Sequence, residues 1–155
     1  MTRVHFPIAV NQILVREGAV FLLKRSDQMD FFAGTWWLPG GHHDGRETIE
    51  VATAREAYEE AGVRVYPSDE RVACISHTRA RLEAVHFFCV TDRFEGEPYN
   101  AEPDKASACG WFDVDHLPSP LPAFVAHAIK DSLSSPHVVY HALETDAEKS
   151  ERLYG

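Results

Sequence analysis

The sequence contains few cysteines and no long apolar run. Its 155 residues include only three cysteines, Cys74, Cys89 and Cys109. They are isolated and odd in number, so they form neither a zinc-binding pair nor a disulfide framework, and we expect small core residues in a reducing compartment. No segment is long and apolar enough to span a bilayer, and the N-terminus "MTRVHFPIAVNQ" lacks the features of a signal peptide. These absences predict a cytoplasmic protein with no membrane partner.

Basic charge is also scarce. Lys and Arg together number 15 against 24 Asp and Glu, which gives a formal net charge of −9. Proteins that bind a nucleic-acid polymer usually show a basic patch or stripe, and this sequence shows none. We therefore expect no polymeric nucleic acid as partner. An anionic small molecule is still compatible with the chain, provided that cations reverse the local field at its site.

The length suits one domain over residues 1–155, with a core over about residues 6–133 and a tail, 134–155, that the pattern leaves open. Two β-rich runs around Arg16-Glu17-Gly18 predict a hairpin. A helix is expected to begin after Thr48, a good N-cap, and to end at Gly62.

The remaining elements follow from similar patterns. They are strands in "ERVACISHTR" and "EAVHFFCVTDRF", joined near residues 80–82, a long polar loop "GEPYNAEPDKASACG", a short strand "WFDV" and a helix in "PAFVAHAIKDSLS". The segment "HVVYHAL" fits a strand or a helix extension. This order predicts an α+β fold with helices packed on a mixed sheet.

The predicted helix over residues 48–61 carries three glutamates at helical spacing, Glu56, Glu59 and Glu60. At about 100° per residue they fall on one face, and we expect them to point outward. The opposite face, which we expect to pack on the sheet, contains Ala54, Ala57, Tyr58 and Ala61.

A solvated helix surface explains most runs of charge. Here the usual lysine partners are missing, since no lysine occurs between residues 25 and 104. The helix is also preceded by Pro39-Gly40-Gly41, and glycines permit a ligand to approach the main chain closely. A glycine carbonyl beside carboxylates offers the oxygen ligands that Mg²⁺ prefers.

These residues resemble the Nudix box of the MutT-type pyrophosphohydrolases. Five residues separate Gly41 from Glu47, and seven separate Glu47 from the run "REAYEEAGV" that begins at Arg55. Ala57 is smaller than the usual bulky aliphatic, a departure that affects packing. The segments "GTWWLPGG" and "WFDVDHLP" resemble the family's flanking segments, so the resemblance covers about residues 6–133. It implies the Nudix fold, an α/β/α sandwich around a mixed β-sheet.

The resemblance also implies a site and a cofactor. Family members hydrolyse a nucleoside diphosphate linked to another moiety, with Mg²⁺ or Mn²⁺. Arg55 and Glu47 would pair and hold the loop against the helix. Glu56 would be the general base, with Glu102 or Asp104 as alternatives. The metal ligands carried over by position are Glu56, Glu59, Glu60 and the carbonyl of Gly40.

The segment "NAEPDKASACGWF" narrows the expected substrate. It resembles an "EPEK" segment of nucleoside-triphosphate-hydrolysing Nudix enzymes, with Asp104 in place of a glutamate. We therefore expect a nucleoside triphosphate to yield a monophosphate and pyrophosphate. The alternatives are a nucleotide sugar or ADP-ribose-like substrate and, in another class, a non-catalytic nucleotide-sensing module. The retained metal glutamates favour an enzyme, and dimers in the family make a homodimer an expectation by analogy.

Weaker patterns indicate roles for other polar and aromatic residues. Arg25 is a candidate for phosphate contact. One ring of an aromatic cluster, formed by Phe31, Phe32, Trp36 and Trp37, is expected to stack on the base, and Trp36 is the candidate. The residues expected to contact substrate are Arg25, Trp36, Gly41 and Asp104. Neither His42 nor His43 is expected to bind the metal, because Mg²⁺ is harder than the metals that histidine prefers. For His77 and His86 we expect structural roles.

Overall fold

A computed structural model describes residues 1–79 and 83–143. The predicted connection at residues 80–82 and the end of the predicted tail, residues 144–155, lie outside the described residues. In chain order the elements are β1 (Ile8–Arg16), β2 (Ala19–Arg25), β3 (Trp36–Trp37), β4 (Gly40–His42), α1 (Ile49–Ala61), β5 (Arg71–Thr78), β6 (Ala84–Thr91), β7 (Ala106–Asp113), α2 (Ala123–Ser134) and β8 (Val139–Leu143).

The strands form one mixed sheet. Six of them lie side by side in the order β3-β2-β1-β6-β5-β8, while β4 pairs with β1 and β7 pairs with β2. Strand β1 runs antiparallel to β2 and parallel to β6. The predicted hairpin is confirmed, and its turn residues Glu17 and Gly18 have φ values of 50° and 77°. Positive φ at both positions matches the twist of a two-residue hairpin.

Each face of the sheet packs against one helix. Neighbouring core residues of β1 and β2 alternate between two hydrophobic clusters, as expected of strands buried on both sides. Ile13 and Leu22 pack with α2 residues such as Ile129, whereas their neighbours Leu14 and Leu23 pack with α1 residues. The predicted α/β/α sandwich is therefore confirmed.

The sheet extends further than the sequence pattern predicts. Strand β7 begins at Ala106, within the predicted polar loop, because it pairs with β2 from Ala19 to Arg25. Pairing with a neighbour overrides the weak strand propensity of this polar segment. The aromatic loop contains the short strands β3 and β4. The segment "HVVYHAL", which fits a strand or a helix extension from sequence, contains a strand, β8, that pairs parallel to β5.

Two expectations about side-chain burial are wrong. Tyr58 is 63% exposed instead of packing in the core. Of the three cysteines, Cys74 and Cys89 are buried, but Cys109 is exposed on β7. Among the described residues, no helix has the length and hydropathy needed to cross a membrane.

Candidate active site

Helix α1, which lies beside β4, has a defined cap at each end. The Thr48 hydroxyl accepts a hydrogen bond from the Val51 N–H at 3.2 Å. At the other end Gly62 adopts φ 68°, and its N–H donates to the carbonyl of Tyr58. Both caps are those predicted from sequence, and they satisfy main-chain groups that helix ends leave free.

The glycines of β4 allow α1 to bring two glutamates against the sheet. A Cβ at Gly41 would lie only 2.5 Å from Glu56 Oε1, and one at Gly40 would overlap the main-chain oxygen of Val10. The Gly40 N–H donates to Glu60 Oε2 at 2.9 Å. Side-chain-free strand residues thus leave room for carboxylates between helix and sheet.

This packing corrects the predicted faces of α1. Glu56 is buried, with 8% of its surface exposed, so the expectation that it points outward is wrong. Relative to the prediction, the helix is rotated about its axis so that Glu56 faces Gly41 of β4 and Tyr58 faces solvent. Glu59, with 47% of its side chain exposed, points outward as predicted. Glu60 does not, because its carboxylate is turned to the Gly40 N–H of β4.

Arg55 links the loop after β4 to the helix. Its guanidinium contacts Glu47 through two nitrogens, Nη2 to Oε1 at 2.8 Å and Nε to Oε2 at 3.2 Å. Its Nη1 lies 2.8 Å from Glu56 Oε1 and 3.5 Å from Glu59 Oε1. The guanidinium therefore stands between these two carboxylates while it holds Glu47. A two-pronged contact of this kind adds directional specificity to the charge attraction.

The carboxylates differ in proton affinity because their surroundings differ. Burial, with Glu56 and Glu102 nearby, raises the pKa of Glu60 to about 7 against the opposing Gly40 hydrogen bond. Burial likewise raises the pKa of Glu56, although Arg55 opposes the shift. The hydrogen bond from Arg55 lowers the pKa of Glu47 to about 2. Glu56 and Glu60 are thus acidic groups whose negative charge the surroundings do not fully compensate.

A second segment, residues 97–105, closes over the C-terminal end of α1. The N–H groups of Tyr99 and Ala101 donate to the carbonyls of Ala61 and Glu60 at 3.1 and 3.0 Å. The Asn100 amide donates to the Ala106 carbonyl at 2.7 Å. These bonds fix the segment that carries Glu102 and Lys105 beside the helix glutamates.

A small cavity of about 30 Å³ lies between this segment and β2. Its walls include Arg25, Trp37, Glu60, Asn100, Glu102 and Lys105. The Arg25 Nε donates to the Phe31 carbonyl at 3.0 Å, and its Cζ lies 5.8 Å from the centre of the Trp37 ring. Two cations and two carboxylates therefore face one cavity at the end of α1.

The structure places some predicted substrate residues away from this cavity. Trp36 packs edge-on against Phe112 at 4.7 Å, and Trp37 lines the cavity in its place. Asp104 is exposed, whereas the adjacent Lys105 is in the wall. Sequence reasoning missed Lys105, although it is the only lysine between residues 25 and 129 and so carried a detectable signal.

The histidines occupy structural positions. His43 accepts the Gly45 N–H at Nδ1 at 3.0 Å, and its Nε2 lies 2.7 Å from the Glu47 carbonyl. Both ring nitrogens are thereby used by the main chain. His77 pairs with Glu83 at 2.8 Å, and His86 packs against Phe124 at 5.1 Å between ring centres. Burial lowers the pKa of His86 to about 4.

The donor set fits a hard divalent cation. Over residues 1–79 and 83–143, no three His, Cys, Asp or Glu side chains already converge on one point, and Arg55 stands between Glu56 and Glu59. The available donors are carboxylate oxygens. Those of the buried Glu56 occupy the space that a Cβ at Gly41 would need, and those of Glu60 are half-buried beside them. Oxygen ligands with excess negative charge are those that Mg²⁺ and Mn²⁺ take.

Known proteins resemble this chain over most of its length. The family model for the NUDIX domain matches residues 5–132. A MutT-like protein of Streptomyces ambofaciens is 30% identical over 137 residues, 86% of this chain and 82% of that protein. The oxidized purine nucleoside triphosphate hydrolase of Danio rerio is 36% identical over 109 residues, 68% of this chain and 65% of that protein.

A solved structure leads to the same family. The MutT NUDIX hydrolase of Burkholderia pseudomallei superposes with a TM-score of 0.74 at 33% identity, covering 82% of this chain and 98% of that one. The chain therefore belongs to the NUDIX domain family and is a MutT-like pyrophosphohydrolase.

Proposed function

We propose that this enzyme hydrolyses a nucleoside triphosphate to a nucleoside monophosphate and pyrophosphate, with Mg²⁺ or Mn²⁺ as cofactor. The observation that supports this most is the position of two glutamates of α1 against β4. Glu56 is buried there, and the half-buried Glu60 accepts the Gly40 N–H beside a cavity that Arg25 and Lys105 also line. Excess negative charge suits a cation, and the two basic side chains suit phosphates.

The metal ligands in this proposal are Glu56, Glu59, Glu60 and the Gly40 carbonyl. When bound, the divalent ion would supply neutralisation of phosphate charge and a bound water of lowered pKa. Arg55 Nη1 contacts one oxygen of Glu56 and lies 3.5 Å from both oxygens of Glu59, so we expect it to move away from these carboxylates when they bind the ion. It keeps its two-pronged contact with Glu47, which holds the loop in place throughout.

Glu56 is the proposed acceptor of the proton from the attacking water. Its carboxylate is buried beside Gly41, within the proposed metal site, and a general base has to lie within hydrogen-bond reach of the proton that it accepts. Glu102 is the alternative, although its ion pair with Lys105 at 2.8 Å occupies one of its oxygens. Arg25 is proposed to orient the phosphates through its charge. Gly41 is proposed to let them approach the main chain, because it has no side chain. Trp36 and Asp104, as placed, contribute less than Trp37 and Lys105.

A nucleoside triphosphate is preferred for two reasons. The segment that carries Glu102, which resembles one in nucleoside-triphosphate-hydrolysing Nudix enzymes, lies against the end of α1. The Danio rerio relative is named for nucleoside triphosphate hydrolysis. A cytoplasmic location and a homodimer stay predictions, and light scattering of the purified protein would test the dimer.

The test is turnover of a nucleotide panel with Mg²⁺ and with Mn²⁺, followed by chromatographic identification of the products. Triphosphates yielding monophosphate and pyrophosphate support the proposal. Turnover confined to nucleotide sugars or ADP-ribose contradicts the triphosphate assignment but keeps the site. No turnover of any member would favour a nucleotide-sensing module.

A matched pair of variants assigns the activity to the site. Glu59→Gln should lower turnover by orders of magnitude with folding intact, because Glu59 is proposed to supply charge at the metal. Glu50→Gln makes the same chemical change on the same helix, nine residues or about 13 Å away, and should retain activity. Similar activity of the two variants would refute the metal assignment.

A further inference from the structure

Lys105 forms an exposed ion pair with Glu102 at the edge of the cavity. Its Nζ lies 2.8 Å from Glu102 Oε2, with 56% of the lysine side chain exposed. An exposed pair three residues apart contributes little to stability, because solvent screens the attraction and ordering two side chains costs entropy. The ammonium can therefore change partner at small cost.

The surroundings of the ammonium are strongly charged. Glu102 is the main cause of a raised pKa for Lys105, and Glu60 and Glu56 add to it from the helix side. Arg25 faces the same cavity from β2. Lys105 thus lies within electrostatic reach of the carboxylates proposed to bind the metal, with a second cation across the cavity.

The main chain holds this lysine in place. The N–H groups of both Lys105 and Ala106 donate to the Glu102 carbonyl, at 2.9 and 3.1 Å, and form a tight turn. Asn100 ties the turn to β7, and Ala101 ties it to α1. A surface lysine needs no such support, whereas a ligand-binding side chain benefits from a rigid base.

We propose that Lys105 is a phosphate-binding residue. Its ammonium leaves Glu102, forms a hydrogen bond to a non-bridging phosphate oxygen of the substrate, and later binds the pyrophosphate product. Three N–H donors on a flexible stem suit this exchange. The proposal rests on the proposed function, because it requires a polyphosphate beside the α1 glutamates. It adds Lys105 to the phosphate contact already expected of Arg25.

The experiment compares Lys105→Met with Lys105→Arg and with Lys130→Met, a control at an exposed lysine of α2. Binding of inorganic pyrophosphate is measured by calorimetry with Mg²⁺, and KM and kcat are measured with the best nucleotide. Loss of a charged hydrogen bond predicts about 10- to 100-fold weaker pyrophosphate binding by Lys105→Met. KM should rise by a similar factor, Lys105→Arg should recover part of the loss, and Lys130→Met should match wild type.

A second measurement separates phosphate binding from a positioning role through Glu102. Mn²⁺ affinity, followed by electron paramagnetic resonance without nucleotide, should be unchanged or higher in Lys105→Met, because a competing cation is gone. If Lys105 only positions Glu102, then Lys105→Met and Glu102→Gln should weaken Mn²⁺ binding alike, which would overturn the proposal.

Failure of this inference is distinguishable from failure of the proposed function. An active wild type with unchanged pyrophosphate binding and KM in Lys105→Met refutes the role of Lys105 alone. A wild type that turns over no pyrophosphate-linked nucleotide refutes the proposed function and this inference with it.

Discussion

Gly41 gives the sharpest test of how the fold positions Glu56. In Gly41→Ala the new Cβ would lie 2.5 Å from Glu56 Oε1, whereas ordinary contacts begin near 3.4 Å, so the carboxylate has to withdraw by roughly 0.9 Å. A misplacement of about 1 Å in a catalytic site can lower the rate about 100-fold. We expect kcat/KM to fall by about that factor and Mn²⁺ binding to weaken. Folding should be retained, because the displaced atoms are the end of a flexible side chain.

The assay pairs kcat/KM with the free energy of unfolding from urea denaturation. Gly110→Ala is the matched control, since its Cβ would meet only Phe112 at 3.5 Å and neither glycine has a positive φ. Gly40→Ala should instead unfold more easily, because its Cβ overlaps the main-chain oxygen of Val10, which cannot move aside. A stable Gly41→Ala enzyme with wild-type kcat/KM would refute the claim that Glu56 acts from this position.

Three further predictions concern stability and accessibility. Burial, opposed by the nearby Gln12, raises the pKa of Glu70 from 4.5 to about 8. Between these two pH values the folded state keeps a proton that the unfolded chain releases. The free energy of unfolding should therefore fall as pH rises from about 4.5 to 8. Urea denaturation at several pH values should show a flatter profile for Glu70→Gln, and equal slopes would contradict the assignment. Tyr58→Ser should change the free energy of unfolding by less than about 0.5 kcal/mol, because Tyr58 is exposed, whereas Ala57→Leu should lower it by about 1–3 kcal/mol, because Ala57 is buried. A larger effect of Tyr58→Ser than of Ala57→Leu would mean that Tyr58 packs in the core, as the sequence pattern predicted. One thiol, that of Cys109, should react rapidly with a thiol reagent in the native protein, and rapid reaction of all three would contradict the burial of the other two.

Much of the architecture is readable from sequence because local patterns and packing agree. Thr48 and Gly62 mark the ends of α1 through capping preferences that need no tertiary contact. The hairpin at Glu17-Gly18 follows from turn chemistry, and α2 begins after Pro122 as its apolar spacing predicts. Glu47 and Arg55 meet because the loop and the helix are adjacent in the chain.

The remainder depends on contacts between distant segments. The rotation of α1 that buries Glu56 and exposes Tyr58 follows from β4 pairing with β1, which brings Gly40 and Gly41 under the helix. Helical periodicity gives the relative positions of side chains but not which face meets a glycine strand. Likewise, the placement of Lys105 in the cavity wall depends on Ala101 bonding to the end of α1.

The most direct test of the central claim is a crystal structure with Mn²⁺ and a non-hydrolysable nucleoside triphosphate, with the ion located by its anomalous scattering. We predict a peak in contact with the carboxylates of Glu56, Glu59 and Glu60, with phosphate oxygens on the same ion and Arg55 withdrawn toward Glu47. An ion and phosphates bound away from these glutamates, with Arg55 still between Glu56 and Glu59, would contradict the account.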